Sequence, residues 1–110
     1  MPTFQDRERA FEAKYAHDED LRFRVIARRD KLFAHASVEQ LGLLEPAAAG
    51  LVASVLAIRD GPGHDSRLIQ HMADVFAKHG HSDAAGKLSA SLEACSEQAH
   101  QQLLAQPDNG

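Results

Sequence analysis

The sequence has no tryptophan, one tyrosine and one cysteine among its 110 residues. A single thiol, Cys95, cannot close an internal disulfide, which points to a reducing compartment. With so few aromatic rings there is little on which to stack bases or sugars, and a pI near 5.9 argues against bulk nucleic-acid binding. No apolar run approaches the roughly 18 residues of a membrane span. Phe4 is followed at once by Gln5, Asp6, Arg7 and Glu8, so the apolar stretch of a secretion signal is missing. These absences predict a small, soluble, cytoplasmic protein that needs neither nucleic acid nor direct membrane insertion.

What is present is charge, unevenly placed. Residues 1–31 hold eight of the 12 Lys and Arg and seven of the 16 Asp and Glu. That first segment sums to +1 and the rest to −5, giving the net −4. The chain is long enough for one hydrophobic core and no more, so the asymmetry marks two parts with different tasks.

Between its breaks the sequence reads as helix throughout. Ala and Leu dominate, both good helix formers, and no strand-length alternation occurs. Breaks fall at Gly42 to Pro46, at Asp60-Gly61-Pro62-Gly63 and at Gly80 to Ser82. The first bundle helix, about 20–41, carries Leu21, Val25, Leu32 and Ala36 with Phe23, Ile26 and Phe33 beside them, and Gly42 stops it. Pro46 suits the start of a second, with a stripe of Leu51, Val52, Val55 and Ile58 that Gly61 and Pro62 end. Asp65 or Ser66 is expected to cap a third, bearing Leu68, Ile69, Met72, Val75 and Phe76 and closed by Gly80. Ser82 or Asp83 is expected to cap a fourth with Leu88, Leu92, Cys95, Ala99 and Leu103. The expected fold is all-α: a four-helix bundle over 21–105, an N-terminal arm over 1–20 and a frayed tail over 106–110.

The arm cannot order itself on its own chain. Its large apolar side chains are Phe4, Phe11 and Tyr15, worth roughly 2 kcal/mol each when buried. Fixing 20 backbones costs on the order of 1 kcal/mol per residue. Helical potential is nevertheless high. Thr3 and Asp6 approximate a capping box, Asp18 and Asp20 stand four residues before Arg22 and Arg24, and the three rings share one face at spacings of seven and four. A nascent helix of this kind is built to fold on a partner, whereas a solvated extension of the first helix is the plainer alternative.

Chemistry is hard to find. Gly61-Pro62-Gly63 lacks the Lys-Ser/Thr of a phosphate loop and reads as a turn. His64, His71, His79 and His81 lie near one another in sequence, but no Cys or carboxylate completes a ligand spacing; they read as solvated, and no metal site is assigned. Cys95 on an apolar stripe reads as an inert buried thiol. No acid pair or serine arrangement marks a catalytic site, so an enzyme is not expected. The cations Arg22, Arg24, Arg28, Arg29 and Lys31 could hold phosphates, or cover the core with their stems.

Thr3-Phe4, then Asp6-Arg7-Glu8-Arg9-Ala10-Phe11-Glu12-Ala13-Lys14-Tyr15-Ala16-His17-Asp18-Glu19-Asp20-Leu21-Arg22-Phe23-Arg24, and on through Ala27-Arg28-Arg29-Asp30-Lys31-Leu32, closely resemble the alphaproteobacterial zeta-subunit family. Those proteins inhibit the F-type ATP synthase. The resemblance runs from residue 3 to Gly42-Leu43 and continues beyond as pattern. It implies a four-helix bundle whose N-terminal arm enters, as a helix, a catalytic interface of the synthase head formed by alpha, beta and rotor gamma subunits. Phe4, Phe11 and Tyr15 would then supply apolar anchors, while Asp6, Arg7, Glu8, Arg9, Glu12, Lys14, His17, Asp18 and Glu19 complete the partner-binding face. No cofactor is required. The resemblance also implies ATP or ADP as a ligand of the bundle, with Arg22, Arg24, Arg28, Arg29 and Lys31 as the candidate contacts.

Two features qualify this picture. The family usually shows Gly and Trp where this chain has Ala34 and Ala36, and a lost core Trp leaves a cavity costing about 3–5 kcal/mol unless Phe33 or Phe76 fills it. His17, inside the arm, is the candidate for a pH response. Two other readings stand beside the inhibitor: an adenine-nucleotide-binding helical bundle, and a helical interaction module with a different partner.

Overall fold

The computed structural model describes the backbone of residues 4–105 and the side chains of residues 19–105. Among the described residues the secondary structure is helical, in the order α1 (Phe4–Leu41), α2 (Ala47–Leu56), α3 (His64–Lys78), a 3₁₀ segment (Ser82–Lys87) and α4 (Leu88–Ala105). The all-α four-helix expectation holds. The arm side chains singled out above, from Phe4 to Asp18, and the tail 106–110 lie outside the residues so described.

The backbone of α1 runs unbroken for 38 residues, about 57 Å at 1.5 Å per residue. It therefore begins well before the expected start near residue 20. Its C-terminal half carries the bundle, packing along α4 and α2. Gly42 ends it at φ 65°. The Leu43 N–H donates to the Val38 carbonyl at 3.0 Å and the Gly42 N–H to that of Glu39 at 3.1 Å, a paired closure that glycine adopts without a Cβ clash. Gly80, at φ 80°, closes α3 in the same way through His81 and Phe76 at 2.8 Å.

The core is built from Phe33 and Ala34 of α1, Leu51 and Val55 of α2, Leu68, Met72 and Phe76 of α3, and Leu88, Leu92 and Cys95 of α4. The stripes expected on α3 and α4 are those observed, with Leu103 half-buried. On α1 the buried face is rotated from the expected one. Leu21, Val25, Leu32 and Ala36 are half-buried, Phe23 is 65% exposed, and the most buried positions are Arg29, Asp30, Phe33, Ala34 and Ser37. Three of those five are polar, so a purely apolar reading of the helix passes over them. Ser37 satisfies its hydroxyl locally, donating to the Phe33 carbonyl at 2.9 Å.

Three boundaries also differ. Helix α2 ends at Leu56 rather than at Gly61, with the Ala57 and Ile58 N–H groups closing onto Ala53 and Val55. Helix α3 is not capped by Asp65 or Ser66. Gly63 stands at the N-cap at φ 82°, so Asp65 is already inside the helix, and its carboxylate accepts from the Arg29 guanidinium of α1, a charge-assisted pair. Before α4, Ser82–Lys87 winds as a 3₁₀ segment instead of an α-helical turn capped by Ser82 or Asp83. Ser, Asp and Gly are weak helix formers, and the tighter winding lets Ala84 and Ala85 pack against the core.

Phe33 is fully buried and Phe76 nearly so. Ala34 is also fully buried, whereas Ala36 is half-buried. The two expected aromatic fillers thus sit in the core.

Candidate functional site

The helical repeat of ~100° per residue divides the basic run of α1. Arg22 and Arg29, seven apart, share one face; Arg24, Arg28 and Lys31 fall on another. Consistent with this, Arg22 and Arg29 line a cleft of about 1030 Å³, and the other three do not. Arg24 instead pairs with Asp20 at 3.1 Å on the solvated surface. The half-buried Arg28 reaches Gln102 of α4 at 3.4 Å, and Lys31 is exposed.

Three parts enclose the cleft. One wall is α1, with Glu19, Leu21, Val25 and Ile26; another is the turn Asp60-Gly61-Pro62-Gly63; Ser96 and His100 of α4 complete it. Its lining is mostly apolar with a few charged and polar groups, the mixture usual for sites that hold small ligands.

Beside the cleft, Arg29 and His64 meet the carboxylates of Asp30 and Asp65. The Arg29 side chain is 8% exposed. Its Nε donates to Asp30 Oδ1 at 3.0 Å, and its Nη1 and Nη2 donate to the two Asp65 oxygens at 3.3 and 2.8 Å. Asp30 turns its other oxygen, Oδ2, to His64 Nε2 at 2.6 Å. His64 Nδ1 faces the Arg59 carbonyl at 2.9 Å, which also accepts from Arg67 Nη2 at 2.8 Å. No buried side-chain polar atom among the described residues is left without a partner. The cluster ties α1 to the start of α3 and to the turn before it.

These contacts set protonation. Burial works against a charged His64, but the Arg59 carbonyl and the Asp30 carboxylate outweigh it and raise its pKa above the ordinary histidine value. Arg29 is likewise buried at a cost, yet Asp65 and Asp30 hold it cationic. The hydrogen bonds from Arg29 keep Asp65 below its ordinary value, against partial desolvation. Burial raises the Cys95 thiol, in keeping with the inert thiol expected there.

The histidines divide. His79 and His81 are exposed as expected, while His64 is buried and His71 half-buried, with Nε2 2.8 Å from Ser54 Oγ. The solvated reading of those two is corrected: each is held by polar groups brought from another helix or turn. No group of three or more metal-binding side chains is assembled among the described residues, and no described helix is long and apolar enough to cross a membrane.

The Asp30–His64 pair escaped the sequence reading. Its trace there is Asp30 itself, which lies three and four residues before Phe33 and Ala34 on the most buried face. A carboxylate in that position requires a cationic or donor partner.

No curated protein and no solved structure matches the chain. The family model of the ATPase inhibitor subunit zeta matches residues 1–102, arm and bundle together, and the chain belongs to that family, one of regulatory rather than catalytic proteins.

Proposed function

We propose that the protein inhibits ATP hydrolysis by an F-type ATP synthase, its N-terminal arm docking as a helix in a catalytic interface of the synthase head. The observation that carries this reading is the family match across the arm as well as the bundle, over residues 1–102. The helical backbone of α1 suits the role. At about 57 Å it is twice as long as α4, which spans about 27 Å, so the bundle can grip one half while the other meets a partner. The arm side chains Phe4, Phe11 and Tyr15 are the anchors. Arg7, Arg9 and Lys14, with Asp6, Glu8, Glu12, His17, Asp18 and Glu19, supply matched charge. The place of action is the cytoplasmic face of the membrane, peripheral to the synthase.

The test compares the full chain with a version lacking residues 2–18, each added to the cognate synthase head while ATP hydrolysis is followed. The full chain should suppress hydrolysis and the shortened one should not. Unchanged hydrolysis with the full chain overturns the reading.

The cleft favours a second, compatible reading, in which ATP or ADP binds the bundle. Arg22 is exposed at its wall and His100 stands opposite on α4, so phosphates would meet Arg22 before Arg29, which already serves two carboxylates. Titration with ATP should move the amide signals of residues 21–26 and 60–66, and Arg22→Ala should weaken the effect more than Lys31→Ala. An absence of localised shifts at millimolar ATP removes it.

A further inference from the structure

Both ring nitrogens of His64 face acceptors. Nδ1 points to the Arg59 carbonyl at 2.9 Å and Nε2 to Asp30 Oδ2 at 2.6 Å. A neutral imidazole carries one N–H and satisfies one of these; the imidazolium carries two and satisfies both. The other oxygen of Asp30 accepts from Arg29, so a cation already stands beside this carboxylate. The imidazolium fits this arrangement, one N–H for each acceptor.

We propose that His64 is a proton-operated clasp: protonated, it binds the α2–α3 turn and the start of α3 to Asp30 of α1, and loss of its proton on raising pH frees that turn and opens the cleft it walls. The proton leaves to solvent through the cleft, which His64 lines.

The surroundings suit a switch rather than a fixed strut. From α1, Asp30 faces the ring, with Arg29 behind it and Glu19 and Arg22 further along the cleft. From the turn, Asp60 Oδ1 lies 3.8 Å from Nδ1, adding negative potential that favours the proton. From α3, Asp65 neighbours the ring but is occupied by Arg29, and Arg67 competes for the Arg59 carbonyl. From α4, His100 lines the same cleft. When the imidazolium loses its proton, the remaining N–H can serve the Arg59 carbonyl, and the Nε2 lone pair then confronts a carboxylate oxygen. That end of the clasp is repelled. The turn is able to respond, because Gly61 and Gly63 stand at φ 95° and 82° on either side of Pro62, leaving two points that need no Cβ-bearing conformation.

The raised pKa of His64 fixes the direction. The clasp's contribution is complete below the unfolded histidine value of about 6.5 and is lost as pH rises through the folded value.

The experiment is an NMR titration of the full chain from pH 5 to pH 9, following the imidazole nitrogens and the backbone amides, with hydrogen exchange of residues 59–66 measured over the same range. His64 should be more than half protonated at pH 6.5 and reach its midpoint above it, and the amides of Asp30, Arg59 and Asp65 should shift with the same midpoint. Exchange protection of the turn, corrected for intrinsic rate, should fall by up to about tenfold per pH unit between 6.5 and that midpoint. Asp30→Asn should lower the midpoint, and His64→Gln should abolish the pH dependence of protection. A His64 midpoint at or below 6.5, a titration that leaves Asp30 and Arg59 unmoved, or an unchanged protection profile in His64→Gln overturns the proposal. Because the first two outcomes are read on the native chain, they decide the matter even if a variant does not fold.

Discussion

Nε2 of His64 lies 2.6 Å from Oδ2 of Asp30, joining helices whose two residues are 34 positions apart in sequence. Both side chains are over nine-tenths buried, and the pair joins the start of α3 to α1.

Asp30→Ala should be among the most damaging polar substitutions in the bundle. It strands the buried Arg29 with one carboxylate and deprives His64 of its counter-charge. Removing one partner of a buried ion pair costs about 3–5 kcal/mol, and chemical denaturation of the variant against the native chain measures it.

Asp65 presents the opposite case. Its side chain is 64% exposed although it accepts two bonds from Arg29, so water screens most of the interaction. Asp65→Asn should cost no more than about 1 kcal/mol. Its depressed pKa contributes stability that is present above the ordinary carboxylate value of about 4 and lost as pH falls through the folded value. The variant's deficit should accordingly vanish in acid, as a pH series of denaturation curves will show.

Packing on α1 can be read through two alanines two residues apart. Ala34 is fully enclosed, so Ala34→Leu should overpack the core and cost about 1–3 kcal/mol. Ala36 is half-buried and has room toward solvent; Ala36→Leu should change stability by less than about 1 kcal/mol. Thermal unfolding of the two variants side by side checks the difference.

Cys95 should be silent toward thiol reagents in the native state. It is 7% exposed, and burial raises its pKa, disfavouring the thiolate that reacts. Labelling with a disulfide reagent should proceed at full rate only in denaturant. Rapid labelling of the folded chain would show that α4 opens readily.

Much of the architecture was legible in the pattern of residues. Gly42 and Gly80 end their helices because a left-handed closing residue is cheap only for glycine, a purely local matter. Leu68, Met72 and Phe76, and Leu88, Leu92, Cys95 and Ala99, repeat at the spacing of one helical face and are buried as that spacing requires. Local signals failed where a distant group competed. Asp65 has the chemistry of a cap, yet its carboxylate is taken by Arg29, 36 residues away. The 82–87 segment has a capping residue but winds to suit Ala84 and Ala85 against the core.

The sequence by itself determined that this chain is helical, where its breaks fall, and that its first segment differs from the rest in charge, because propensity, glycine closure and periodicity are properties of neighbouring residues. Only the tertiary structure decided which cations share a cleft, which face of α1 is buried and which histidine is buried against a carboxylate. Those outcomes depend on the desolvation of one charge by groups tens of residues away, and buried charge is stable only where folding supplies its counter-charge. Arg29, Asp30 and His64 mean little singly; brought together they form the joint between α1 and α3.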